Sequence, residues 1–158
     1  MKKLSNLEFK KKFDSIADTY EKVSNSYTIT RRAESFKIDS AEVILETGSG
    51  TGIISGLIDK SIICTDISYE MCKQAVRNNR ENVICCDAEK LPIRSNILDG
   101  ILSAETIYYL DNPQHFLSDS YSALKKKSKL MITVFNQDMK LVDRIRSFLR
   151  IFDKNQYF

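Results

Sequence analysis

From Val43 to Ile54 the chain reads V-I-L-E-T-G-S-G-T-G-I-I, an apolar run that breaks on three alternating glycines and resumes as a second apolar pair. All five glycines, at 48, 50, 52, 56 and 100, lie within 53 residues, and three of them crowd this one turn. Glycine lets backbone turn tightly and approach a ligand closely. A strand, such a turn and an amphipathic helix in succession would aim unpaired helix N–H groups at an anion. That arrangement holds the phosphate or carboxylate end of a nucleotide-like cofactor at the carboxyl ends of parallel strands.

Four further apolar runs extend the pattern. With Glu42–Glu46 they are Ser61–Thr65, Asn82–Cys86, Leu98–Ser103 and Lys129–Phe135. They are continuous rather than alternating, as in strands buried on both faces. The stretches between them read as helices, through Ile53, Ile54, Leu57 and Ile58, through Met71, Ala75 and Val76, and through Phe116, Leu117, Tyr121 and Leu124. Alternating strands and helices predict an α/β, Rossmann-like, doubly wound and mostly parallel sheet of about five strands with flanking helices. Two outer helices are expected. One, over about Leu7–Tyr20, carries Phe9, Phe13, Ile16, Ala17 and Tyr20; the other, over about Met139–Asp153, carries Leu141, Ile145, Phe148, Leu149 and Phe152 opposite Arg144, Arg146 and Arg150. Both stripes are read as core-packing faces. At 158 residues the chain makes a single domain: a helical segment 1–40, a cofactor-binding core 41–135 and a C-terminal helix 136–158.

Composition narrows the setting. With 42% hydrophobic and 28% charged residues the chain reads as globular. No apolar run approaches the roughly 18–20 residues of a membrane helix. The start, M-K-K-L-S-N-L-E, lacks a signal peptide's apolar stretch, so neither export nor membrane insertion is expected. Cys64, Cys72, Cys85 and Cys86 show no C-x-x-C pair, and His115 is far from them, so no metal site is expected. Free thiols in apolar runs suit a reducing compartment, the cytoplasm. The net charge of +3 is uneven: +3 over residues 1–40, −6 over 41–124 and +6 over 125–158. Such basic ends either steer an anionic partner such as RNA or are solvated helix surfaces.

The cofactor class follows from spacing. A dinucleotide fingerprint needs G-x-G-x-x-G, and Ile53 stands in the third glycine's place. No Gly-Lys-Ser/Thr follows, which excludes a phosphate-binding Walker loop. Instead Glu46 precedes G-x-G-x-G by two residues, a carboxylate that disfavours pyrophosphate and suits an ammonium group. Asp66 ends the second strand, 20 residues on, where an acid accepts both hydroxyls of a ribose; a helix N-cap is its plainer use. Asp87 ends the third strand, placed either to accept from an adenine amino group or to form an Asx turn.

The order E-x-G-x-G-x-G, T-D-I-S, C-D-A-E-x-L-P and L-D-G-I-L-S resembles the class I S-adenosylmethionine-dependent methyltransferases, above all the small-molecule and ubiquinone/menaquinone-biosynthesis type. The opening F-D-S-I-A-D-T-Y, Phe13 to Tyr20, resembles that subgroup's start, and the likeness spans roughly residues 13–135. It implies S-adenosyl-L-methionine as cofactor and a role for each matching position. Glu46, Thr47, Gly48, Ser49 and Gly50 would hold the methionine moiety, Asp66 the ribose and Ile67 the adenine face. Asp87 and Ala88 would meet the adenine amino edge, Ser103 would lie near the sulfonium, and Tyr20 would close over the cofactor. No residue is singled out as catalytic. Glu105, Tyr108, Tyr109 and His115 are the general-base candidates should an acceptor need to lose a proton, though a structural or surface role is the plainer reading of each. The implied reaction moves a methyl group to a small-molecule or RNA acceptor by in-line displacement. The alternatives are a non-catalytic, cofactor-binding partner subunit and, disfavoured by Ile53, a nicotinamide oxidoreductase.

Two departures stand out. Where relatives carry Pro-Gly-Gly before the fifth strand, this chain has Lys125-Lys126-Lys127-Ser128-Lys129, read as a helix ending in exposed lysines. The family sheet has seven strands, whereas this chain stops about one helix after its fifth. Leu130–Phe135 would then form an open edge for the C-terminal helix, a second copy or a partner chain to cover.

Overall fold

A computed structural model describes residues 4–134 apart from 25 and 39. The helix expected over about 139–153 lies outside them. Five strands, β1 (Ile44–Thr47), β2 (Ile62–Asp66), β3 (Val83–Cys85), β4 (Leu98–Ala104) and β5 (Leu124–Thr133), form one sheet in the order β3-β2-β1-β4-β5. Every pairing is parallel, so the expected α/β doubly wound sheet is found with no antiparallel strand among the described residues. The order reverses between β1 and β4, and a crevice at the carboxyl ends of the strands follows from that reversal.

Buried β-branched and aliphatic side chains decide the strand positions. All four residues of β1 are buried, and Ile44 and Leu45 are wholly enclosed. Ile44 joins Ile29, Ala33, Phe36, Ile54 and Leu102 on one face of the sheet, while Leu45 packs with Leu98, Ile101 and Ala123. α4 (Tyr69–Arg77) turns Met71, Cys72 and Ala75 inward, and the Ser68 side chain caps it by accepting from the Met71 N–H at 3.1 Å. α5 (Pro113–Ala123) buries Phe116, Leu117, Ser120 and Ala123.

The helices differ from expectation in four places. After the glycine turn no α-helix forms, only a 3₁₀ turn at Ser55–Leu57. Ile53, Ile54 and Ile58 are β-branched and Gly56 interrupts them, so a segment this short cannot offset the cost of nucleation. The outer N-terminal helix stops at Ile16 as α1 (Asn6–Ile16), and a 3₁₀ turn leads into α2 (Tyr20–Val23). A capping box sets its start: Glu8 N–H donates to Ser5 Oγ at 3.3 Å, and Ser5 N–H donates to Glu8 Oε2 at 2.7 Å. Sequence patterning gave no sign of α3 (Ser26–Ser35), whose Ile29 and Ala33 are its buried residues in a largely polar stretch. Finally, Lys125–Lys129 does not end a helix; α5 ends at Ala123 and the lysines lie within β5.

Candidate functional site

At the carboxyl ends of β1, β2 and β4 a cavity of about 120 Å³ opens between the sheet and the N-terminal helices. The glycine turn forms its floor. Gly48, Gly50 and Gly52 take φ of 62°, 56° and 71°, the left-handed region that glycine enters freely. At Gly48 the need is also steric, because a Cβ there would overlap the Thr106 side chain. Thr106 Oγ1 lies 3.1 Å from the Thr47 carbonyl and 3.2 Å from the Ala104 carbonyl, clasping the ends of β1 and β4 together. On the other side Ser49 N–H donates to the Thr65 carbonyl and Gly50 N–H to Asp66 Oδ2, both at 2.9 Å.

Two carboxyls face this loop. Glu46 is 1% exposed, and its Oε2 has no hydrogen-bond partner among the described residues. Burial pushes its carboxyl up to about 7, with the Asp66 charge adding to the rise against Ser55 and Arg80. Asp66 is also raised by burial, although the Ser68 N–H (2.8 Å to Oδ1) and the Gly50 N–H favour its charged form. The Ser49 hydroxyl is a second buried polar atom without a partner on the cavity wall. A buried carboxyl near neutrality beside an orphaned hydroxyl fits a ligand that brings a cation and hydrogen-bonding groups. That is the chemistry of an amino-acid moiety.

Apolar and aromatic groups close the remaining walls. Ile67, Met71, Cys86, Ala88 and Leu110 line one side. Burial pushes the Cys86 thiol up to about 11, so it stays neutral and packs as a small hydrophobe. Phe9 and Phe13 stand edge-on to Tyr109, with centroids 4.8 and 5.1 Å apart, and Phe13 meets Tyr20 at 6.3 Å. Phe9 and Phe13 of α1 and Tyr20 of α2 are therefore a half-buried wall of the cavity rather than a core face, whereas Ala17 of the same stripe is buried as expected. Asp14 fastens that wall: Ser68 Oγ donates to its Oδ1 at 2.6 Å and Lys10 pairs with its Oδ2 at 2.7 Å. Burial opposes the effect, yet bonds from Lys10, Ser68 and the Glu70 N–H hold the Asp14 carboxyl below its ordinary value.

Of the residues predicted for the site, Tyr20, Glu46, Gly48, Ser49, Gly50, Asp66, Ile67 and Ala88 line the cavity. Thr47, Asp87 and Ser103 do not. Thr47 and Ser103 are fully buried beneath the floor, paired in register across β1 and β4. Asp87 caps the 3₁₀ turn at Ala88–Lys90, its Oδ1 accepting from the Glu89 N–H at 2.9 Å and from Asn6 Nδ2 at 3.1 Å. Among the base candidates, Glu105 and Tyr109 reach the cavity, whereas Tyr108 and His115 do not line it. Burial raises the Tyr109 hydroxyl, so it keeps its proton. Glu105 faces Arg32 at 3.5 Å. Arg32 and Thr106 escaped sequence reasoning, and only the positive φ of the neighbouring Glu105, 56°, marks that bend.

Residues 45–132 match the family model described as "Methyltransferase domain". The chain is 23% identical over 138 residues to the malonyl-[acyl-carrier protein] O-methyltransferase of Marinomonas sp. (strain MWYL1), covering 80% of this chain and 51% of that protein. It is 28% identical over 156 residues to the ubiquinone/menaquinone biosynthesis C-methyltransferase UbiE of Wigglesworthia glossinidia brevipalpis, with 82% and 62% covered. The chain thus spans about half to three-fifths of the length of these relatives. Its fold superposes with TM-score 0.73 at 21% identity on a Methanococcus maripaludis protein assigned to the S-adenosyl-L-methionine-dependent methyltransferases, over 100% of this chain and 89% of the other.

Proposed function

This chain belongs to the methyltransferase domain family, and we propose that it binds S-adenosyl-L-methionine at the strand ends and passes its methyl group to a small-molecule or RNA acceptor. The observation that carries this reading is Glu46, a buried carboxyl with an unpartnered oxygen on the same cavity wall as Asp66 and the glycine turn. In this reading Glu46 and the Gly48–Gly50 turn hold the ammonium end of the cofactor, and Asp66 holds the ribose hydroxyls. Ile67, Met71, Cys86 and Ala88 enclose the adenine. Asp87 serves through its turn, which presents Ala88, while Thr47 and Ser103 support the floor from below. Tyr20, with Phe9 and Phe13, covers the site against water.

When bound, the cofactor supplies a methyl group already activated by a sulfonium. The protein's share is orientation and desolvation, and orientation alone is worth up to about 7–11 kcal/mol in favourable cases. No side chain is assigned as a base. Among the described residues no strand pairs with the outer edge of β5, and we place a second copy or partner chain there. A monodisperse monomer at tens of micromolar by light scattering would refute that placement. We also assign the chain to the cytoplasm on its free thiols; no helix among the described residues is long and apolar enough to cross a membrane.

Thermal unfolding with S-adenosylmethionine or S-adenosylhomocysteine, beside Asp66→Ala, tests the cofactor site. Ligand at about 100 times its dissociation constant adds roughly 2.7 kcal/mol of stability. No shift in folded protein refutes the reading. A shift without methyl transfer to any acceptor favours the partner-subunit alternative.

A further inference from the structure

At the opposite end of the sheet β5 opens on a run of lysines, and its register against β4 is broken there. Leu98 pairs with Leu124 and Gly100 with Lys129, so five steps along β5 oppose two along β4. Lys125–Ser128 thus stand against Asp99 alone, a surplus of three residues that forms a bulge. Lys127 sits at the bend with φ 70°, a conformation glycine adopts freely and a lysine does not. Beside the bulge lies an open cavity of about 160 Å³ lined by Lys37, Lys126, Lys127 and Lys129 with Ser40 and Ser128. Asp99 is its one carboxylate among the described residues. It is already engaged, accepting from the Val43 N–H at 2.9 Å and pairing with Lys125 at 2.8 Å. Four exposed lysines therefore line one concave, polar surface.

We propose that this lysine-lined bulge is a binding site for the phosphate groups of RNA. A lysine at φ 70° carries a strain that glycine would not, and such an outlier points to function. Lysines present point charges on flexible stems, which suits tracking a phosphate backbone rather than gripping one planar anion. The wide mouth and exposed side chains fit a polymer better than an enclosed small anion. The site is separate from the cofactor cavity, since Leu98 to Ala104 spans about 20 Å of strand. It does not depend on the methyl-transfer reading, because RNA binding is measured with no cofactor present.

The test uses the full chain and a 20-nucleotide single-stranded RNA with a 5′ fluorescein, titrated by anisotropy between 50 and 300 mM KCl. Replacing Lys126, Lys127 and Lys129 by serine is expected to lower the slope of log K against log salt by about 2, a loss of roughly 100-fold in affinity at 0.1 M salt. Lys127→Gly alone is expected to lower the slope by about 0.7 while leaving the melting temperature equal or higher. The S-adenosylhomocysteine-induced thermal shift, where one exists, stays unchanged in both variants. Absence of wild-type binding at 50 mM KCl overturns the proposal. So does an equal loss from serines at Lys11 and Lys12 on α1, which would mean net charge alone. Full displacement of the RNA by 1 mM inorganic phosphate, or equal binding to phosphatidylserine vesicles, overturns it too.

Discussion

Replacing Glu46 by glutamine keeps its shape and removes its charge. Glu46 is buried and its carboxyl stands at about 7 against an ordinary 4.5, so the folded chain holds this proton more tightly than the unfolded chain. A raised value means stability that is present below pH 4.5 and lost as pH rises towards 7. At pH 8 the ionised group costs the fold about 3 kcal/mol, and at pH 5 under about 1 kcal/mol. Urea unfolding of wild type and Glu46→Gln at both pH values measures this directly. Any fixed cost of burying the amide cancels in the comparison between pH values. The variant is expected to gain about 2–3 kcal/mol relative to wild type on going from pH 5 to pH 8. Parallel profiles would refute the argument. The same group should govern ligand binding: a ligand that needs the charged carboxylate binds about tenfold more weakly at pH 6 than at pH 8. S-adenosylhomocysteine titrated calorimetrically into wild type should show that loss, and Glu46→Gln should not.

Asp66→Asn keeps an oxygen for the Gly50 and Ser68 N–H groups but removes the charged acceptor of the cofactor's hydroxyls, so the chain should stay folded while the cofactor-induced thermal shift disappears. Gly48→Ala forces a Cβ onto Thr106 at positive φ and should cost about 2–3 kcal/mol, with Thr106→Gly in the same chain restoring only the steric part. Asp14→Ala should destabilise by about 1–3 kcal/mol at pH 7. Because the Asp14 carboxyl is held below its ordinary value, that difference should vanish as pH falls through it, which circular-dichroism melts at pH 7 and pH 2.5 would show.

The strands were legible because burial on both faces demands continuous apolar runs, and Ile44–Leu45 and Ile101–Leu102 have no solvent-facing side to encode. The glycine turn was legible for a conformational reason that stays local to the sequence. Failures came where local pattern and tertiary need part. Ile53 and Ile54 look helical by spacing, yet they serve as floor and core beside a left-handed Gly52. Phe9 and Phe13 look like a core stripe because periodicity cannot separate a core face from a cavity wall. Lys125–Lys129 read as a helix end because a strand bulge has no periodic signature. Arg32 and Thr106 reach the cavity from 12 residues before β1 and 59 after Thr47, respectively, and no spacing rule connects them to it.

The two halves of the cavity are held by different physics. Its floor is tied to the strands themselves: the Ser49 N–H bonds the Thr65 carbonyl of β2, the Gly50 N–H the Asp66 carboxylate at the end of β2, and the Thr106 hydroxyl the Thr47 and Ala104 carbonyls of β1 and β4. Its roof is attached by side chains, chiefly Asp14 to Ser68 and the edge-on rings of Phe9, Phe13 and Tyr109. Ring pairs are worth about 0.5–1.5 kcal/mol each and a single charged hydrogen bond about 1.5–3 kcal/mol. The roof can therefore open at a fraction of the cost of unfolding the sheet, and α1 should exchange its amide hydrogens well before β1 and β4 do. Ser68, which bolts the roof, is two residues from Asp66, which faces the cavity. Ligand contact at Asp66 is thus positioned to tighten Ser68 on Asp14 and slow exchange in α1. Exchange in α1 that is indifferent to saturating S-adenosylhomocysteine would break that link while leaving the floor intact.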